Sequence, residues 1–177
     1  MPNLARKNQT ESEPLSEACV SMALSVIRSD GLEALSLREV ARRLNVSHQA
    51  PYKHFESRDH LLAEVIGRCL KGFAKWLRAS GRDASGTAKP AEEAMRALGH
   101  AYLDFALNKP LEYKLMFGTL WPGIAHETGI DADARAAFDV LRERLAALHP
   151  AHDPHRLDLD AMFVWSSMHG IASVLQS

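Results

Sequence analysis

The run Val46-Ser47-His48-Gln49-Ala50-Pro51-Tyr52-Lys53-His54-Phe55 crowds hydrogen-bonding and basic side chains into one short stretch. Their chemistry suits a nucleic acid. A glutamine amide matches adenine N6 and N7 together, and histidine is short enough to meet a base edge. Gln49 and His48 are therefore the candidates for reading sequence in a major groove. Tyr52, Lys53 and His54 suit phosphate oxygens, which fix position without reading bases. A helix capped by Ser47 would turn its unpaired N–H groups and positive dipole end toward the same phosphates. Pro51 is compatible with such a helix. In the first turn it forfeits only the bond to the Ser47 carbonyl, whereas deeper in a helix it would cost about 3 kcal/mol. Its ring is then placed to lie against a thymine methyl, with Arg38 and Arg58 flanking the groove.

The second half of the chain carries a different chemistry. Tyr102, Tyr113, Phe117, Trp121 and Trp165, with His169 among them, are the candidate lining of a ligand cavity, joined by Trp76, Met95, Phe105, Met116 and Met162. Aromatic walls with few polar groups suit a mostly apolar small molecule. At helical spacing ordinary core packing explains the same residues. His100 and His169 are read as polar groups on apolar faces. The segment His149-Pro-Ala-His152-Asp-Pro-His155 sets three imidazoles close together, which invites a metal. Its two prolines interrupt the helix that would align them, so a surface loop without metal is expected. Phosphate-cradling glycine loops, a nucleophile elbow and paired carboxylates are not found, and neither a catalytic residue nor a cofactor is expected.

The elements that must position these residues are helical. Leu15, Cys19, Met22 and Val26 recur at helical spacing, giving a first helix from about Ser12 to Ser29, closed at Asp30-Gly31. Ser36 caps a short second helix with Leu37, Val40, Ala41 and Leu44 inward, and Asn45 suits the turn after it. Ser47 opens a third. Ser57 caps a long fourth, with Leu61, Leu62, Val65, Ile66, Cys69, Phe73, Trp76 and Leu77 inward. Residues 80–90, rich in small and polar side chains, form a loop between helices. Helices follow at about 91–107, 110–118, 131–148 and 155–175, with Trp121 to Gly129 irregular. No alternating strand pattern appears, so the fold is all-α.

Charge divides along the chain. Residues 1–81 hold 12 Lys/Arg against 9 Asp/Glu, while residues 82–177 hold 9 against 13. A basic first part beside an acidic remainder points the anionic partner to the first part alone. The two cysteines, Cys19 and Cys69, fall on apolar stripes and read as buried thiols in a reducing cytoplasm. The N-terminal residues lack an apolar signal region, and no run approaches a membrane span.

Residues 31–66, GLEALSLREVARRLNVSHQAPYKHFESRDHLLAEVI, resemble the DNA-binding domain of the TetR family of bacterial transcriptional regulators. The resemblance rests on Gly31, Ser36, Ala41, Val46-Ser47, Tyr52-Lys53-His54-Phe55, Arg58 and Leu61-Leu62, in order and at the family's spacing. Asn45 and Gln49 stand where relatives often carry glycine, and the second substitution falls on a base-reading position. Trp165-Ser-Ser-Met-His169-Gly170, with Pro110 to Phe117 before it, is similar to a TetR-type C-terminal domain with a Trp-x-x-x-His-Gly signature. The resemblance implies an N-terminal three-helix helix-turn-helix domain over residues 1–56, with an arm at 1–11 whose Arg6 and Lys7 reach toward DNA. It also implies a helical effector-binding and dimerisation domain over 57–177. The implied function is a ligand-responsive repressor that binds a palindromic operator in double-stranded DNA as a homodimer, with a mostly apolar effector. The implied dimer surface is the last helix, around 155–175; the pattern runs on to Leu175 where relatives usually supply one more interface helix. A metal-responsive sensor and a constitutive DNA-binding protein are the alternative functions.

Overall fold

The computed structural model describes residues 14–118, 121–123 and 129–176, and among these the regular elements are helices, joined by turns and loops, with one isolated bridge, Arg82 to Ala88. It divides into two compact units, Met1–Leu61 and Leu62–Ser177. The expected N-terminal arm and the start of the first helix at Ser12 lie outside the described residues.

The first unit begins with α1 (Leu15–Asp30), whose Cys19, Val20, Ala23, Val26 and Ile27 are buried. Gly31 ends it at φ 89°, a left-handed backbone that favours glycine. A 3-10 turn at Leu32–Ala34 follows. Ser36 then caps α2 (Leu37–Arg43), its Oγ accepting the Glu39 N–H at 3.1 Å, and Leu37, Val40 and Ala41 go inward. Asn45, the described non-glycine residue with positive φ (54°), turns the chain so that the Val46 N–H returns to the Ala41 carbonyl at 3.0 Å. Asparagine tolerates this conformation because its short side chain bonds locally.

The α-helix expected from Ser47 is not formed. Residues 47–50 are turns and Pro51–Lys53 is a 3-10 helix. Pro51 has no N–H to return to the Ser47 carbonyl, and that carbonyl instead accepts from Ala50 at 2.9 Å. The tighter i to i+3 pattern then continues from Lys53 to Ala50 and from His54 to Pro51. Ser47 still acts as a local cap, its Oγ accepting the Gln49 N–H at 3.3 Å. Phe55 is buried at 5 % exposure. Ser57 Oγ accepts the His60 N–H as α3 (Arg58–Ser80) begins.

The second unit holds most of α3 with α4 (Ala91–Asn108), α5 (Pro110–Phe117), α6 (Ile130–Leu148) and α7 (Pro154–Leu175). Helices α4, α6 and α7 pack against one another, and α5 lies on α4. Phe73, fully buried on α3, is the hub: its ring meets Tyr102, Phe105, Phe117 and Trp165 at 4.8–6.2 Å between centroids. The 81–90 loop is ordered by Asp83, whose carboxylate accepts from the Ser85 and Thr87 N–H groups at 2.9 Å. Asp153 caps α7 in the same manner, accepting the Arg156 N–H at 3.1 Å.

Two inward assignments are corrected. Trp76 is 43 % exposed, because its indole N–H is anchored at the edge, donating to the Ala101 carbonyl at 2.9 Å, with Lys109 over the ring. His100 is exposed rather than set on an apolar face. Along α7, Leu159, Met162, Phe163, Ile171, Val174 and Leu175 are also exposed, Phe163 and Val174 at 74 %. Cys19 and Cys69 are buried free thiols, and burial pushes the Cys19 thiol up from its usual pKa.

Candidate functional site

In the first unit the α2 start and the turn after Ser47 bring Arg38, His48, Gln49 and Tyr52 around one depression of about 540 Å³. Arg38, His48 and Gln49 are exposed, and Tyr52 is 45 % exposed. Lys53 and His54 are exposed on the same short turn. The depression therefore offers an amide, an imidazole, a phenol and a guanidinium to one ligand surface. Pro51, by contrast, is buried, so its ring packs inward and is not presented to a thymine methyl. Arg58 is also drawn inward: Nε and Nη2 donate to the Leu35 and Leu32 carbonyls at 3.0 and 2.9 Å. Its main service is to fasten the start of α3 to the 3-10 turn.

The other cations nearby are partly spent. Glu39 takes a bidentate bond from Arg42 (2.8 and 2.7 Å) and a third from Arg43 Nε at 2.7 Å, while Arg43 also reaches Ser29 and Asp30. The hydrogen bonds from Arg42 and Arg43 hold the Glu39 carboxyl down at about 2, against an ordinary value of 4.5. A depressed carboxyl contributes stability that is present above its unfolded pKa and is lost as pH falls through the folded one. Glu39→Gln should thus be less stable than wild type above pH 4.5, with the difference shrinking from there to about pH 2. Acid-unfolding curves of the two proteins check this; a difference that persists undiminished at pH 2 would assign the effect elsewhere.

In the second unit a polar triangle lies at the inner end of the aromatic set. Tyr113 Oη is 2.8 Å from His169 Nδ1, Tyr102 Oη is 3.4 Å from the same nitrogen, and the two hydroxyls are 3.3 Å apart. Burial holds both phenols well above their ordinary pKa, so both remain protonated. His169 is half-buried, stacked on Tyr113 and edge-on to Phe117. Two cavities adjoin this cluster. One, about 360 Å³, lies between α5 and α7 and is lined by Tyr113, Lys114, Phe117, His169, Ser173 and Gln176 together with Pro110 and Gly118. The other, about 540 Å³, is walled by Leu70, Phe117, Trp121, Phe138, Met162 and Trp165, with Asp131 and Arg135 at its polar side. Both volumes fall in the range of small-molecule sites. Phe117 is a wall of each.

Residues 20–65 match the family described as bacterial regulatory proteins, tetR family, and residues 95–177 match the tetracyclin repressor-like C-terminal domain. The chain belongs to the TetR family. It is a DNA-binding transcriptional regulator with a helix-turn-helix. The chain is 27 % identical over 95 residues to the uncharacterised HTH-type transcriptional regulator YobS of Bacillus subtilis (strain 168), a match that spans 54 % of the chain and 47 % of that relative. Among solved structures it resembles the regulatory protein SCO4313 (TM-score 0.72, 29 % identity, 90 % of this chain and 82 % of that one). It also shares its fold with a Rhodococcus sp. RHA1 protein of unknown function (TM-score 0.76, 24 % identity, 96 % and 87 %). The fatty acid degradation regulator FadR of Bacillus halodurans has the same fold (TM-score 0.68, 13 % identity, 92 % and 84 %).

For this TetR-family chain, the expected DNA-reading residues Arg38, His48, Gln49 and Tyr52 come together, Lys53 and His54 lie beside them, and Pro51 and Arg58 do not join them. In the second unit Tyr102, Tyr113 and His169 form the triangle, Phe117 divides the cavities, and Trp121 and Trp165 wall the larger one. Trp121 is fixed by its own N–H, which donates to the Met116 carbonyl at 3.0 Å. Phe73 and Phe138 were not singled out as site residues; their spacing marks an inward face but not what the face meets. The three histidines of the 149–155 segment do not converge. His149 and His152 stack at 4.7 Å and His152 Nδ1 lies 3.2 Å from Asp160, while His155 is exposed. Among the described residues no group of three His, Cys, Asp or Glu is set to hold a metal ion, and no helix is long and apolar enough to cross a membrane.

Proposed function

We propose that this regulator is a ligand-responsive repressor that binds a palindromic operator as a homodimer. The observation that carries the DNA half is the single depression lined by Arg38, His48, Gln49 and Tyr52, in the unit that matches the family's DNA-binding region. In a dimer two such surfaces meet successive major grooves, about 34–36 Å apart. Gln49 and His48 read bases, while Arg38, Tyr52, Lys53 and His54 hold phosphates. The apolar face of α7, with Phe163 and Val174 at 74 % exposure, supports a second copy as its cover. The two cavities of the second unit support an effector that is mostly apolar. Bound there, it favours a protein state that fits the operator less well, so effector and DNA exclude one another by linkage.

Footprinting on the DNA upstream of the protein's own gene, followed by titration of variants, tests the assignment. Lys53→Ala should weaken binding to every sequence and lower the salt slope by about one unit per protomer. An unchanged slope would remove Lys53 from the phosphate contacts. Gln49→Ala should act differently, relaxing discrimination at one or two operator positions by about 1–3 kcal/mol each. A uniform loss across all base substitutions would refute base reading by Gln49.

A further inference from the structure

The hydrogen-bond count of the buried triangle determines the state of His169. Tyr102 and Tyr113 are 1 % and 3 % exposed, and each hydroxyl carries one proton that needs an acceptor. The acceptors the triangle offers are the two phenol oxygens and His169 Nδ1. If Nδ1 carried a hydrogen it could accept none, and because two hydroxyls cannot each donate to the other, one phenol proton would find no acceptor within the triangle. A buried hydroxyl proton left without an acceptor carries the full desolvation penalty of its group. With Nδ1 bare, Tyr113 donates to it at 2.8 Å and Tyr102 donates to the Tyr113 oxygen at 3.3 Å, and every proton is placed. The imidazole hydrogen therefore sits on Nε2, across the ring from the tyrosines.

His169 also lines the 360 Å³ cavity between α5 and α7. Its remaining donor is thus fixed by residues that lie behind it. Lys114 brings a cation, Ser173 and Gln176 bring neutral polar groups, Tyr113 and Phe117 bring aromatic faces, and among the described lining residues none is acidic. Ser173 Oγ and Gln176 Nε2 already donate to the His169 and Ala106 carbonyls.

We infer that this cavity takes a small apolar carboxylate, with the acid group on His169 Nε2–H and Lys114 and the apolar part against Tyr113 and Phe117. The inference rests on the effector reading above and gives that effector its chemical class. The volume suits one ring with a short chain, since a dry cavity of about 150 Å³ already holds benzene.

The test uses the full-length protein and a matched panel: benzoate, phenylacetate and octanoate, each against its primary amide, followed by calorimetry and by release of operator DNA. At least one carboxylate should bind ten-fold or more tighter than its amide and release DNA. His169→Phe, which fills the same space without a donor, should abolish that preference, and His169→Gln, which keeps a donor, should restore part of it; circular dichroism confirms that each is folded. Amides that bind and release DNA as well as the acids would overturn the carboxylate assignment and leave the effector reading standing. So would a His169→Phe protein that keeps the preference for acids. A panel of which no member binds would overturn both.

Discussion

Phe163→Asp should give a folded monomer that no longer saturates operator DNA at concentrations where the wild type does. The ring is 74 % exposed on α7, so an aspartate there costs the isolated protomer little. Beneath a second copy the same carboxylate is buried without a partner, and a charge so placed costs about 3–5 kcal/mol. Protomer association should weaken by roughly two to four powers of ten. Sedimentation equilibrium reads the change directly, and the far-ultraviolet dichroism should stay the same. A variant that remains dimeric would mean that the α7 stripe is covered by something other than its own copy, and the two-fold operator would lose its main support.

Phe73→Ala should produce the largest loss of stability. The ring is fully buried and touches aromatic side chains from α4, α5 and α7, so no single neighbour can swing in to fill the space. Removing a buried phenylalanine costs about 3–5 kcal/mol when the cavity persists. For a unit of this size that corresponds to a fall of roughly 10–20 °C in Tm. Scanning calorimetry checks it. A loss under about 1 kcal/mol would show that the surrounding rings collapse onto the gap, and that Phe73 fills space without organising it.

The helices were legible because their apolar periodicity and caps agree. Ser36, Ser57 and Asp153 each accept the backbone bond that a cap requires, and Gly31 stops α1 where its φ demands glycine. The third element was not legible as a 3-10 turn. A proline four residues after a serine is compatible with an α-helix, and only the competition for the Ser47 carbonyl decides the matter. For the DNA surface the residue types pointed to Arg38, His48, Gln49 and Tyr52, yet nothing in the sequence says that Arg58 turns back to two carbonyls 23 and 26 residues away. The same holds for the ligand region. Spacing places Tyr102, Tyr113 and His169 on inward faces of three helices, but their meeting as a triangle depends on how those helices cross.

The double claim of Arg42 and Arg43 on Glu39 bears on how the protein searches a chromosome. Affinity for arbitrary DNA comes almost wholly from cations that displace condensed counterions, and here the two guanidiniums beside the proposed reading surface are paired with Glu39 and Asp30, with Arg58 tied to carbonyls. Lys53 and Arg38 are exposed on the same unit. If Gln49 and His48 read bases as proposed, a regulator so equipped grips the millions of irrelevant sites weakly while keeping those contacts to the right one. Fewer molecules are then held in reserve on non-operator DNA, and a small number of copies suffices to keep an operator filled.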